Sequence, residues 1–237
     1  MAVTKKHLVD GKIRSTYIGG GSLIHKSFVL TAATKVIGEN AADLMARFGE
    51  FDFASVTEAF EHEDINVKNI IIHEGFIRTG VIPNNIALLE LEKPVAFDQH
   101  INIVCLPPPN AKFDNKRCVA TGWGKHSFTD PDVKFPTLLK KIEMSVVPTP
   151  TCEATFREKR PSSFDKLPAG IMCAGGGQED TCVGDGGSPL MCAGDNGSYY
   201  QVGIVSWGLS CKEYNVPGAY TEVSTYIDWI NTKINTR

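Results

Sequence analysis

Apolar positions along this chain gather into short stretches separated by turn-forming residues. Segments 21–24, 27–31, 44–48, 67–73, 85–91, 116–122, 138–147, 170–173, 189–192 and 200–207 alternate or run apolar, and Gly, Pro, Asn or Asp bounds nearly all of them. Stretches of this length with such punctuation predict strands, and many short strands predict an all-β barrel or sandwich. Only the C-terminus carries a helical period. There Val223, Tyr226, Ile227, Ile230 and Ile234 fall on one helical face behind Ser224 or Thr225, with Asp228 as an N-terminal signal. The Pro-rich segment 105–118 is the natural crossing between two halves. No repeat of fixed period is present.

Composition narrows the function classes. The 237 residues are 42% hydrophobic and 9% aromatic, ordinary values for a globular chain, which excludes disorder and fibrous repeats. Charge is balanced, with 24 Lys and Arg against 27 Asp and Glu and a net of -3, so no field favours a phosphate backbone or an anionic lipid surface. Nucleic acid and membrane are therefore not expected partners. The apolar runs fall far short of the ~20 residues a spanning helix needs. Residues 1–10, MAVTKKHLVD, are interrupted by charge and do not form an apolar leader.

Seven cysteines stand at 105, 118, 152, 173, 182, 192 and 211, without the C-x-x-C spacing of tetrahedral zinc sites. A disulfide framework is the simpler reading, and it implies an oxidising compartment. An odd count leaves one thiol, either buried and free or paired with a segment outside this chain.

The stretch QEDTCVGDGGSPLMC, residues 178–192, is a glycine-dense turn between cysteines, followed by IVSWGLSC. Ordered motifs accompany it across nearly the whole chain: GGSLIHKSFVLTAA at 20–33, NNIALLEL at 84–91, CVATGWG at 118–124, MCAG at 172–175, SWG at 206–208 and PGAYTEVSTYIDWI at 217–230. Together they resemble the trypsin-like serine proteases of the chymotrypsin fold. The resemblance implies two antiparallel six-stranded β-barrels with a cleft between them and a C-terminal α-helix. It implies one protease-like domain over 1–237, shortened at its N-terminus, with 1–108 as first barrel, 117–222 as second and 224–235 as helix. No Ile-Val-Gly-Gly type start precedes Gly20.

Family chemistry uses a serine made nucleophilic by a histidine base, which a buried aspartate orients. At the histidine position this chain has Thr34, at the aspartate position Asn85, and at the serine position Gly186. Threonine is no base near neutral pH, an amide does not stabilise an imidazolium as a carboxylate does, and glycine has no side chain. Ser188 stands two residues from the nucleophile's place, and neither His25 nor His73 is positioned as its base. The expectation is a catalytically dead site.

Further expectations follow from the resemblance. The cysteine pair flanking the histidine loop is replaced at both ends, by Gly19 and Lys35. Three bridges are implied, Cys118 with Cys192, Cys152 with Cys173, and Cys182 with Cys211, leaving Cys105 for a tether to an upstream segment. Asp185 matches the buried aspartate that normally pairs with a new amino terminus; without one it must find another partner or turn outward. Asp180, Ser206, Gly208 and Gly218 match the base and walls of a pocket for Arg or Lys, against the plainer reading of Asp180 as a solvated loop acid. No cofactor is expected, with calcium at Glu50, Glu61 and Glu63 as an alternative to an ordinary acidic loop. Asn196 in Asn-Gly-Ser is a glycosylation acceptor sequence.

The string GDGGSPL, the GEFD and VKNIIIHEGF segments and the odd Cys105 resemble non-catalytic homologues of the arthropod clip-domain type. That resemblance implies a secreted, extracellular regulatory cofactor in a proteolytic immune cascade such as prophenoloxidase activation and melanisation. Its partners would be a zymogen or protease, with an upstream domain held through Cys105. The alternative is a trypsin-like endopeptidase using unrecognised residues. A weaker third reading is a carrier using the empty cleft for a small ligand or polysaccharide.

Overall fold

In a computed structural model, residues 1–55, 57–125, 135–160, 166–177, 181, 184–195, 197–209 and 215–236 are described. The first half contributes strands β1 (Ala2–Val9), β2 (Lys12–Gly20), β3 (Ser22–His25), β4 (Phe28–Thr31), β5 (Leu44–Phe48), β6 (Glu63–Ile72) and β7 (Ala87–Leu91), with a single helical turn, α1 (Ala33–Val36), after β4. They pair antiparallel in the order β2-β1-β5-β6-β7-β4-β3. Leu44, Ala46 and Phe48 show why a strand forms at β5: every second residue is buried, the period that places one face of a pleated strand on the core.

This half departs from the expected closed six-stranded barrel. It is a seven-stranded sheet that does not close through hydrogen bonds, and its terminal strands β2 and β3 are consecutive in sequence. Gly21 alone separates them. Its N–H bonds to Met1 O at 3.2 Å. A Cβ there would lie 2.8 Å from Met1 Sδ and 3.0 Å from Val29 Cγ1, so only glycine lets the chain bend tightly at this point. The covalent chain, not a ladder, joins the two ends of the sheet.

The second half is a closed barrel of β8 (Arg117–Gly122), β9 (Lys140–Val147), β10 (Ile171–Ala174), β11 (Pro189–Ala193), β12 (Tyr199–Trp207) and β13 (Gly218–Glu222), ordered β10-β13-β12-β11-β8-β9. Ala120, Met144, Leu190, Val202 and Tyr220 are among the side chains filling its interior. Between β9 and β10 lies α2 (Thr149–Lys159), which the periodicity of the sequence does not announce: it buries only Cys152 and Phe156, too few apolar positions for a stripe.

The last helix, α3 (Ile227–Asn235), starts later than expected. A 3-10 turn, Val223–Tyr226, precedes it, and neither Ser224 nor Thr225 caps it; Thr225 Oγ1 donates instead to Glu222 at 3.2 Å. Ile227 and Ile230 pack in one cluster with Ile24, Leu30, Ile86 and Leu88 of the first half and Ile204 of β12. The helix is thus an apolar clamp across both halves. Its outer side is tied down by Trp229 Nε1 to Glu74 at 2.9 Å and by the Lys233–Glu74 ion pair.

Candidate functional site

The three positions that the resemblance assigns to catalysis lie near the junction of the two halves. Thr34 lies in α1, Asn85 just before β7, and Gly186 in the turn that leads into β11. Asn85 is fully buried. Its Oδ1 accepts the Thr34 backbone N–H at 2.9 Å, its Nδ2 donates to Ser206 Oγ on β12 at 2.8 Å, and its backbone carbonyl accepts from Thr221 Oγ1 at 2.8 Å. Every polar group of Asn85 named here is therefore satisfied by the fold. The amide accepts at Oδ1 and donates at Nδ2 without burying a charge. The network has no base in it: Thr34 contributes its backbone, not its side chain.

Gly186 has a neighbour that the sequence alone did not assign to it. A Cβ on Gly186 would stand 2.4 Å from Lys35 Cε and 3.3 Å from Lys35 Nζ. On the other side, a Cβ on Gly19 would meet Lys35 Cγ and Cδ at 2.9 Å. Lys35 thus threads between two glycines, its stem in the space of the replaced cysteine pair and its amine against the place of the nucleophile. Burial pushes the Lys35 amine below its ordinary range, with the charge of Asp185 acting in the opposite direction. The available signal was the joint appearance of Gly19, Lys35 and Gly186 in place of Cys, Cys and Ser.

Asp185, adjacent in sequence, is buried and well supplied. Its Oδ1 accepts the Gly124 N–H at 2.7 Å and its Oδ2 accepts from Lys140 Nζ at 3.1 Å. A Cβ on Gly122 would lie 2.3 Å from Oδ1 and one on Gly124 2.4 Å from Cγ. The glycines of the TGWG motif are what admit the carboxylate. Lys140, whose side chain is itself largely buried, supplies the cation for an aspartate 1% exposed. Of the two outcomes expected for Asp185, another partner or an outward turn, the structure has the first; β9 provides the partner because Lys140 opens that strand opposite Gly122.

Ser188 lies outside this arrangement. It is 1% exposed, and a Cβ on Gly20 would lie 2.0 Å from its Oγ. The Tyr17 phenol nearby donates to Gly184 O at 2.8 Å. A serine packed against that seam has no open side for a substrate carbonyl. His25 and His73 are engaged elsewhere: His25 accepts the Ser27 N–H, and His73 meets Tyr226 edge-to-face and Trp229 at a tilt.

Of the pocket residues, Ser206 is turned towards Asn85, Gly208 follows β12 and Gly218 opens the neighbouring strand β13. Asp180, Cys182, Cys211 and Asn196 lie outside the described residues. The structure forms Cys118–Cys192 between directly paired positions of β8 and β11, and Cys152–Cys173 between α2 and β10. Cys105 is a free, exposed thiol. It borders an apolar groove of about 670 Å³ lined in part by Phe51, Val104, Val119, Leu139, Met191 and Tyr199.

The acidic loop is occupied by internal pairs. Glu50 is bonded to Arg47 at 3.1 Å, with His62 at 3.4 Å, and Glu63 pairs with Lys93 at 2.9 Å, while Glu61 offers a backbone carbonyl to His100 Nε2 at 3.1 Å. Among the described residues no group of three His, Cys, Asp or Glu side chains converges as a metal site, and no helix is long and apolar enough to cross a membrane.

Comparison with known proteins agrees with the geometry. The trypsin family model matches residues 3–230. The chain is 41% identical over 236 residues to "Inactive CLIP domain-containing serine protease A8" of Anopheles gambiae, covering 99% of this chain and 63% of that protein. It is 39% identical to "Inactive CLIP domain-containing serine protease A28" of the same mosquito, covering 92% and 56%, and 40% identical to "Phenoloxidase-activating factor 2" of Galleria mellonella, covering 95% and 74%. The chain thus spans less than two thirds of the length of both mosquito relatives. It belongs to the trypsin family, as a trypsin-like protease homologue of the clip-domain type.

Proposed function

We propose that this chain is a catalytically inactive serine protease homologue that acts by binding, as a secreted regulatory cofactor in a proteolytic cascade of the prophenoloxidase and melanisation kind. One observation carries the loss of catalysis: the nucleophile's place is a glycine against which Lys35 packs, and the base position contributes only a backbone N–H. Among the described residues, none of Thr34, Asn85 and Gly186 supplies the side-chain base or nucleophile that acyl transfer needs. The names of the relatives at about 40% identity support the regulatory role. Secretion is supported by the two disulfides, which persist in oxidising compartments.

In this reading the protease scaffold presents surfaces to a zymogen or protease. Cys105, exposed beside the apolar groove, tethers an upstream domain, and Cys182 pairs with Cys211 as the third bridge. Asp180 with Ser206, Gly208 and Gly218 receives an Arg or Lys side chain of the partner, and Asn196 carries a glycan.

The test has two arms. A fluorophosphonate probe should leave the disulfide-intact protein unlabelled while labelling trypsin stoichiometrically; labelling at Ser188 or elsewhere would establish the endopeptidase alternative. In a mixture of prophenoloxidase with its activating protease, the full-length protein should raise phenoloxidase activity well above the protease alone. An unchanged rate would remove the cascade role while leaving the inactivity intact.

A further inference from the structure

The Lys35 amine is held in a half-buried place, with no ion-pair partner among the described residues. Among the described residues it makes no ion pair and no side-chain hydrogen bond, and Asp185, the nearest charge acting on it, is already engaged by Gly124 and Lys140. A desolvated ammonium is costly unless something pairs with it. The fold holds it there nevertheless. Gly19 and Gly186 clamp the stem from both sides, and Gly186 O is fixed by the Gly20 N–H at 3.0 Å, so the side chain has little freedom to withdraw.

The surroundings restrict what can approach. Gly184, Gly186 and Gly187 line this turn with backbone alone, and Gly184 and Gly187 have positive φ values of 98° and 87°. Thr34 and Ser206, the side chains nearest in the network, are neutral and partly exposed. The charge that such an amine lacks is an anion's, and a carboxylate is the anion that a protein partner brings.

We propose that Lys35 turns the former nucleophile position into a receptor for a carboxylate of a peptide partner, so that the cleft retains a chain it can no longer cut. The inference rests on the non-catalytic reading above. Two sources share the chemistry: the free C-terminus of a cleaved chain, and an Asp or Glu side chain. The bond formed is a charge-assisted hydrogen bond from the ammonium, stronger than a neutral one.

The experiment uses the disulfide-intact chain and three fluorescent tripeptides: Gly-Pro-Arg with a free carboxylate, the same peptide as its amide, and Gly-Pro-Glu as its amide. Binding is read by anisotropy. At least one carboxylate peptide should bind about tenfold or more tighter than the Arg amide, and which one does identifies the source. The discrimination should vanish in Lys35→Met, which keeps the stem, and persist in Lys35→Arg. On the native chain, NMR of the Lys35 ε-methylene should shift with the favoured acid and not with the Arg amide, a readout independent of whether a variant folds. Equal binding of all three, no binding at millimolar concentration, or discrimination that survives Lys35→Met would each overturn the proposal. A fluorophosphonate probe run in parallel separates the two failures. Labelling sinks the non-catalytic reading, whereas an unlabelled protein that ignores carboxylates sinks only this inference.

Discussion

Residues 185 and 186 are adjacent in the chain, yet their surroundings differ sharply. Around Asp185 the receiving structure is complete: two glycines make room, a backbone N–H and Lys140 supply hydrogen bonds, and the carboxylate is almost fully buried. Around Gly186 no side chain projects, and Lys35 packs into the space a Cβ would take. The difference teaches that a buried charge constrains a fold even when chemistry is abandoned. Losing a serine hydroxyl leaves a gap that a lysine stem can fill, whereas losing the partner of a buried aspartate leaves an unpaired charge.

The largest test of this contrast strikes the retained side. Lys140→Met should lower stability by about 3–5 kcal/mol, because Asp185 would remain buried without its cation; urea unfolding measures it. If the loss is below about 1 kcal/mol, Asp185 is not held by this pair. The abandoned side should respond less. Gly186→Ser places a Cβ 2.4 Å from Lys35 Cε, an overpacking expected to cost about 1–3 kcal/mol. In a double-mutant cycle with Lys35→Ala most of that cost should disappear; additive effects would mean that the two residues do not compete for space.

The same geometry bears on reactivation. Restoring Thr34→His, Asn85→Asp and Gly186→Ser together should leave arginyl-peptide cleavage at background, and adding Gly19→Cys with Lys35→Cys should raise it. Turnover by the triple variant alone would show that Lys35 does not obstruct the site. Asn85→Ala, which removes the donor to Ser206 and the acceptor for Thr34, should cost about 1–3 kcal/mol in thermal or urea unfolding.

The smallest effect lies far from the cleft. Glu74 is held at a pKa of about 2, first through its hydrogen bond from Lys233 and then through its own backbone N–H and Trp229. A depressed carboxyl pKa stabilises the fold above its ordinary value of 4.5 and loses that contribution as pH falls towards 2. Because Glu74 is well exposed, the effect is modest. Trp229 fluorescence should report loosening of α3 in that window, and Glu74→Gln should abolish the pH dependence.

Legibility varied by element. Strand β5 coincides with the predicted segment 44–48 because alternation there is strict and one face is buried. The hairpin of β1 and β2 was passed over, although Asp10 and Gly11, with φ of 51° and 72°, form the tight turn between them; its outer residues are polar or exposed, so no apolar run marks the strands. Helix α2 escaped for the related reason that only two of its residues reach the core. At the site, the motifs drew attention to Thr34, Asn85 and Gly186, and the structure places Thr34 against Asn85 and Lys35 against Gly186.

By itself the sequence determined the β-rich class and the family, because strand patterning and motif identity are properties of the chain read in order. Only the tertiary structure decided what packs against Gly186 and pairs with Asp185. Lys35 meets Gly186 across 151 positions of sequence, and Lys140 meets Asp185 across 45. The first meeting joins the two halves and the second lies within the closed barrel, and in both, space and charge are shared among residues that no local pattern connects.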